Sequence, residues 1–334
     1  MTRQYDVYAI GNALVDTEIE VSDAFLAQME IGKGMMSLVD RERQVALIQA
    51  LRDEAEPHKQ TCGGSAANTT IAARYFGSNC YYTCKVADDD TGALFVRDLL
   101  AAGVDTNMNG TREAGMSGTC LVMITPDAER TMNTFLGISE TVGEAEIDEA
   151  ALLASRYVYI EGYLVTSPSA RAASIRLREM ARQHGIQVAM TFSDPAMVRF
   201  FRDGLLEMIG DGVDLLFCNE DEAMEFTGTD SPEAALDALK QYARQIAMTR
   251  GADGAVAFDG TDTHWIDGVR VKPVDTNGAG DMFAGAFLYG ITHDLDFPTA
   301  GRLACTAAAR VVSDFGPRLA PAEHAEVRRD VLGY

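Results

Sequence analysis

Val274-Asp275-Thr276-Asn277-Gly278-Ala279-Gly280-Asp281-Met282-Phe283 sets two glycines and a carboxylate where a strand end turns into a helix. From Ala279 to Ile291 the residues Met282, Phe283, Ala286, Phe287 and Tyr289 give a roughly helical apolar period, which predicts that helix. Such a turn leaves the N–H groups of Gly278, Ala279 and Gly280 unpaired and aimed at one point. The positive end of the helix dipole adds to them, so the turn predicts an anion site. A carboxylate beside an anion site repels the anion unless it has chemistry to do. One task fits Asp281: taking a proton from a hydroxyl that attacks a phosphoryl group, while the three amides hold the developing charge. The competing reading is structural, with Asp281 capping the helix and the glycines only making the turn.

Other polar residues fall at strand ends. Tyr5 to Val15 is an apolar run consistent with one buried strand, closing in Gly11-Asn12 and Asp16. Ligands sit at the carboxyl ends of strands in open α/β sheets, and a carboxylate with a nearby amide there can grip a vicinal diol. A plain strand-end turn is the alternative. In Cys62-Gly63-Gly64-Ser65-Ala66-Ala67-Asn68, paired glycines precede a small-residue helix that ends at Gly77, a helix stop. Asn68 lies about one turn in and points back toward the helix start; tight helix–sheet packing would explain the small residues equally. Asn219 and Glu222 stand three apart at another helix start, on one face. Acids there commonly just complement the dipole. Thr249-Arg250-Gly251-Ala252-Asp253-Gly254 reads as a glycine turn after an apolar strand.

The run Asp275-Thr276-Asn277-Gly278-Ala279-Gly280-Asp281-x-Phe283 resembles the second signature of the ribokinase-type (PfkB) carbohydrate and nucleoside kinase family, and Cys62–Gly77 resembles its first. Within that family the stretches Gly11–Asp16, Phe192–Pro195, Leu216–Ala223 and Asp275–Asp281 look closest to the adenosine kinases, and the resemblance runs from Asp6 to about Pro321. It implies that Asn12, Asp16, Gly63, Gly64 and Asn68 hold sugar hydroxyls, that Asp281 is the base for the 5′-hydroxyl, and that Gly278, Ala279 and Gly280 form the anion hole. It further implies ATP as phosphoryl donor, bound through Asn219, Thr249, Gly251, Gly254 and Asn277. Mg²⁺ would be held by Asn219 and Glu222 through water, and a monovalent cation such as K⁺ near Asp275 and Ser313–Gly316. Leu14, Met132 and the Tyr163–Leu164 pair are candidates for a base pocket. They lack the aromatic residues associated with better-known adenosine kinases, so inosine, guanosine or a plain sugar stays open as substrate. Arg130 is either a lone hairpin arginine in water or a residue that meets phosphate charge.

The elements that must position these residues follow from pattern. At 334 residues and 47% hydrophobic content the chain can bury a large core. Strands are expected at Tyr157–Ile160, Gln187–Thr191, Leu215–Cys218, Gln245–Thr249 and Ala255–Phe258, with helices between them such as Pro168–His184 and Ser231–Tyr242. That alternation predicts an α/β, ribokinase-like three-layer fold: a mostly parallel central sheet with helices on both faces. Thr17–Val21, Gly34–Val39 and a Cys120–Thr125/Arg130–Phe135 hairpin with a Pro126-Asp127 turn predict a small four-strand lid. One kinase domain spans 1–334, with the lid formed by about 16–40 and 112–136. Asp88-Asp89-Asp90 reads as a helix cap in preference to a metal site.

The formal charge of −22 argues against nucleic-acid binding. The start lacks a signal-peptide apolar run, and nothing reaches membrane-spanning length, so the expectation is a cytoplasmic protein without a membrane partner. Six scattered cysteines and five histidines without metal-type spacing predict reduced, mostly buried thiols. Neither a P-loop, a protein-kinase motif set, a Gly-x-Ser-x-Gly elbow nor an early Gly-x-Gly-x-x-Gly is present. A monomer or homodimer acting on a small-molecule nucleoside or sugar is expected. A catalytically silent nucleoside-binding protein of the same fold is the alternative of a different class.

Overall fold

The apolar run that starts at Tyr5 does not continue to Val15 as one strand. It breaks at Gly11-Asn12-Ala13 into β1 (Tyr5–Ile10) and β2 (Leu14–Glu20), which belong to two different sheets. The computed structural model describes residues 3–34, 36–52, 59–110, 112–127 and 129–333. Met35 of the expected flap strand and Ala128 of the expected hairpin turn lie outside them.

The further strands are β3 (Met36–Leu38), β4 (Lys59–Gly63), β5 (Cys80–Thr83), β6 (Asp105–Thr106), β7 (Gly118–Ile124) and β8 (Arg130–Phe135). Then come β9 (Ser155–Ile160), β10 (Gln187–Thr191), β11 (Val213–Asn219), β12 (Ala243–Thr249), β13 (Gly254–Phe258) and β14 (Thr263–Asp267). The large sheet runs β14-β13-β12-β11-β10-β9-β1-β5-β6. It is parallel from β12 to β6, and β13 and β14 add an antiparallel edge. Along β1 successive side chains enter opposite layers, as the two-residue period of a strand requires. Val7 and Ala9 pack with Ile71, Phe287 and Leu303 of helices Ser65–Phe76, Ala279–Thr292 and Phe297–Val311. Tyr8 and Ile10 pack with Leu177, Leu205 and Phe226 of helices Pro168–Gln183, Pro195–Ile209 and Glu220–Thr227. Burial on both faces explains why β1, β10 and β11 read as continuous apolar runs.

The second sheet runs β3-β8-β7-β2-β4, five strands where four were expected. The extra one, Lys59-Gln60-Thr61-Cys62-Gly63, is an edge strand paired only with β2. Its mostly polar sequence carries no alternating apolar signal. One face of this sheet, through Ile19, Leu121 and Met123, packs on Phe25, Leu26, Leu47 and Leu51 of two short helices. The opposite face, through Leu14, Asp16, Cys120, Val122, Arg130 and Met132, lines a cavity. Asp89 caps the helix Asp90–Ala101 by accepting from the Gly92 amide at 2.7 Å, the capping role expected of that acidic run. All six cysteines are buried free thiols. No helix among the described residues is long and apolar enough to cross a membrane.

Candidate active site

The cavity, about 800 Å³, lies between the carboxyl ends of β1 and β9 to β12 and the inner face of the second sheet. On its floor Gly278 has φ +75° and leads helix Ala279–Thr292, and no side chain caps that helix. A Cβ at Gly278 would stand 2.4 Å from the Pro317 carbonyl oxygen, so this corner admits only glycine. The Ala279 amide donates to the Thr276 carbonyl at 3.3 Å, so of the three expected anion-hole amides this one already serves the turn. A Cβ at Gly280 would meet nothing within 4 Å, which leaves the space over that amide open.

Asp281 faces this space one residue further on. It does not cap its own helix; its carboxylate accepts from Ser65 Oγ at 2.7 Å and Asn68 Nδ2 at 3.2 Å. Both donors come from the first turn of helix Ser65–Phe76, where positions three apart share a face. Gly64 starts that helix at φ +95°, and a Cβ there would meet the Asn12 carbonyl oxygen at 2.4 Å. The two glycine-led helix starts are thus docked against each other through Asp281. Burial pushes the Asp281 carboxyl up to about 6, with Ser65 and Asn68 holding it down in part. It is therefore ionised at neutral pH and still basic enough to accept a proton.

Asn12, Asp16, Gly64 and Asn68 all line the cavity near Asp281. Asp16 extends from β2, and burial pushes its carboxyl up to about 7 against the opposing pull of Arg318. Gly63 does not line the cavity: it ends β4 beneath the Asp16 carboxylate, 2.2 Å from where its own Cβ would be, so its role is to leave room for that side chain. Sequence reasoning missed Glu161, which follows the end of β9. This buried carboxylate accepts from the Asn12 amide at 3.4 Å, Asn12 Nδ2 at 3.2 Å and the Ala66 amide at 2.8 Å. Burial pushes it up to about 7. An acid placed directly after an apolar strand was the signal that could have found it. Ser65, inside the glycine stretch, and Ser139, which takes the Ala13 amide at 2.7 Å, were missed as well. Ser193, at the end of β10, holds a left-handed φ of +73°, fixed by the Gly162 amide donating to its Oγ at 2.9 Å. A non-glycine residue kept in that region beside a cavity is the kind of strain that functional sites retain.

Across the cavity Asn219, Glu222, Thr249 and Asn277 also line the wall, whereas Gly251 and Gly254 do not. Gly251 sits in an exposed turn, and Gly254 begins β13 against the Ile266 carbonyl of β14, so both serve the edge hairpin. Asn219 and Glu222 form a reciprocal cap: Asn219 Oδ1 accepts from the Glu222 amide at 2.8 Å and Glu222 Oε2 from the Asn219 amide at 3.0 Å. The Asn219 oxygen expected on Mg²⁺ is thus given to the helix start, and one Glu222 oxygen remains. Burial pushes Glu222 up to about 8. Among the described residues no cluster of three or more metal-binding side chains occurs. One carboxylate and no cage fits a Mg²⁺ carried mainly by phosphate and water. K⁺ at the Asp275 carboxylate does not fit. Its Oδ1 accepts from the Asn277 amide at 3.0 Å, its Oδ2 from the Gly316 amide at 2.8 Å, and the Arg130 guanidinium lies 2.6 Å from Oδ2. Arg130 therefore does reach into the site, where it also meets Glu18 at 3.5 Å.

Leu14, Met132 and Tyr163 line the far end, with the Tyr163 hydroxyl 3.5 Å from Asp194 Oδ2. Leu164 is buried in the core and does not line the cavity.

A sheet between two helix layers, with two glycine-led helix starts meeting at one aspartate, is an arrangement suited to phosphoryl transfer, and comparison with known proteins agrees. The family model for pfkB family carbohydrate kinases matches residues 30–324, and the chain belongs to that family of ATP-dependent kinases. Adenosine kinase of Saccharomyces cerevisiae is 27% identical over 92% of this chain and 95% of its own length. An ATP-dependent ribose-1-phosphate kinase of Halopiger xanaduensis is 30% identical over 79% of this chain and 84% of its own. Among solved structures, adenosine kinase from Sinorhizobium meliloti superposes with a TM-score of 0.88 at 33% identity, over 97% of this chain and 99% of that one. The ribokinase-like α/β fold is shared across them.

Proposed function

We propose that this kinase transfers the γ-phosphoryl group of ATP to the 5′-hydroxyl of a ribonucleoside, with adenosine the first candidate. The observation that carries the proposal is the position of Asp281. It stands between a set of hydroxyl-binding groups (Asn12, Asp16, Asn68) and an uncapped helix start, with apolar space beyond under the second sheet. A sugar bound by its diol at Asn12 and Asp16 brings its primary hydroxyl to Asp281 and leaves its anomeric substituent under that sheet.

Asp281 takes the hydroxyl proton as the substrate oxygen bonds to the γ-phosphorus and the bond from that phosphorus to the β,γ-bridging oxygen breaks, releasing ADP. Ser65 and Asn68 keep the carboxylate oriented toward the hydroxyl. The open amides of the Gly278–Gly280 turn receive the charge that builds on the transferred group. Transfer of this kind depends mainly on alignment and charge stabilisation. Glu222 would hold, through water, the Mg²⁺ carried by the triphosphate, which would supply neutralising charge. The second sheet acts as a lid that keeps water from competing as acceptor, and Arg130 on that lid brings positive charge to the anion turn. The adenosine kinase relatives support the nucleoside assignment.

The ribose-1-phosphate kinase relative favours a second reading, a sugar or sugar-phosphate acceptor. Asp16, Asp127 and Glu129 line the cavity and set negative charge against an anionic sugar. The deciding experiment measures ADP release from Mg-ATP with adenosine, inosine, guanosine, ribose, ribose 1-phosphate and fructose. Turnover on nucleosides supports the proposal. Turnover only on a sugar keeps the mechanism and overturns the substrate.

A further inference from the structure

The nucleoside reading carries a further consequence, because the two ends of the cavity differ in what they can tell apart. At the sugar end the groups that could meet a hydroxyl are polar, and two of them are held from behind. Asn12 is fixed by Glu161, Asn68 by Asp281, and Asn68 Oδ1 is buried with no hydrogen-bond partner. That oxygen needs a donor from a ligand, since leaving it dry and unpaired is unfavourable. A sugar lacking the matching hydroxyl would leave such groups unpaired in a closed site.

The end under the second sheet is built differently. Leu14, Met36, Cys120, Val122, Met132 and Leu136 form its wall. Three polar groups beside them are already engaged: Thr134 Oγ1 donates to Cys120 Sγ at 3.4 Å, Thr166 Oγ1 donates to the Tyr163 carbonyl at 3.0 Å, and the Tyr163 hydroxyl donates to Asp194 Oδ2 at 3.5 Å. Asp127 and Glu129 lie at the mouth, both exposed to water. Asp127 is paired with Lys33 at 2.7 Å, so its carboxylate already has a partner. Thioether and aliphatic side chains adapt to differently shaped rings without reading their edges. An apolar wall distinguishes related ligands by only about 10- to 200-fold, whereas a wall built to hydrogen-bond a hydroxyl rejects its absence by about 10⁴-fold or more.

We infer that this kinase selects its substrate by the ribose and has relaxed base specificity, accepting ribonucleosides that differ in the groups on the base edge. Leu14, Met36 and Met132 set the fit of the base by shape, and Asn12, Asp16 and Asn68 set the requirement for both ribose hydroxyls.

The test compares kcat/KM for adenosine, inosine, guanosine and cytidine with that for 2′-deoxyadenosine and 3′-deoxyadenosine, using Mg-ATP. The four bases are expected to lie within ~200-fold of one another, and each deoxy sugar is expected to lose on the order of 10⁴-fold. One base exceeding all others by more than that spread, or a deoxynucleoside used as well as the poorest ribonucleoside, overturns the inference while leaving the nucleoside reading in place. No turnover on any nucleoside, with turnover on ribose or ribose 1-phosphate, removes the nucleoside reading and the inference with it. A second variant guards against a hidden base reader at the mouth. Glu129→Gln is expected to leave the base ranking unchanged, and a change of more than ~10-fold in the adenosine-to-inosine ratio would locate base reading at Glu129 and overturn the inference.

Discussion

The two walls of the cavity come from two sheets with opposite habits. The central sheet delivers its functional groups at strand ends and helix starts, where Asn12–Glu161 and Asn68–Asp281 form two hydrogen-bonded pairs tied together through helix Ser65–Phe76. The second sheet delivers side chains from mid-strand, every other residue; beside Asp16 and the ion-paired Arg130 these are apolar and held by packing. Rigid polar groups on a deeply packed frame give chemistry and stringency. Alternating apolar groups on a small sheet with a three-residue edge strand give shape and tolerance.

The largest effect is expected at the point where the helices from the central core meet. Asp281→Asn should lower kcat by at least ~10²-fold and by as much as ~10⁴-fold, the range for a positioned general base. Nucleoside binding should survive, because Ser65 and Asn68 keep a polar partner. Turnover near that of the parent enzyme would remove Asp281 from the chemistry. Next in size, Asp16→Ala is expected to lower kcat/KM by ~10²-fold or more for every ribonucleoside, since it deletes the diol acceptor and leaves its neighbours facing a void. If Asp16→Ala cost less than Met132→Ala, the contrast between the polar sugar end and the apolar base end of the cavity would be wrong.

A smaller and graded effect is expected from pH. Burial pushes Asp281 up to about 6 and both Asp16 and Glu161 up to about 7. A carboxyl whose value is raised carries its proton to higher pH, and a protonated Asp281 cannot accept another. Hence kcat/KM should fall as pH drops through about 7 to 6 and level off above, with a slope steeper than one proton if Asp16 titrates alongside. An acid limb near the ordinary carboxylate value of about 4 would show that the free site is wetter than its geometry implies.

How much of this was legible in the chain depended on where the signal lives. β10, Gln187–Thr191, and the helix that opens at Ala279 follow directly from apolar runs and glycine turns, and the structure places both as the pattern requires. β4 was not legible, because an edge strand of polar residues is defined by its partner and not by its own period. The break after Ile10 was hidden for the opposite reason: β1 and the Leu14-Val15 start of β2 are both apolar, and the change of sheet is a tertiary event. At the site, Asp281 stood out because an acid at an anion turn conflicts with its surroundings. Glu161 carried no such conflict in sequence, and its partners lie 149 and 95 residues away. Gly254 was over-read, its motif being satisfied locally by the hairpin turn into β13, whereas Asn219 both caps its helix and lines the cavity.

The smallest effect sharpens the comparison most. Met132 lies on β8 beside Met36 and Val122 and is partly buried without a ligand. Removing its side chain beyond Cβ takes away about three heavy atoms of contact, and a buried methylene is worth about 0.8 kcal/mol. Part of that surface is already wet in the free enzyme, so Met132→Ala should raise KM by roughly 10-fold and leave kcat nearly unchanged, which is the pattern of lost uniform binding. The distribution of the rise among bases is what discriminates. A wall that senses shape alone raises KM by a similar factor for adenosine, inosine and guanosine, because each ring loses the same contact. A rise confined to one base would mean that Met132 orients that ring toward a polar partner, and the base end would then read bases as stringently as the sugar end reads hydroxyls.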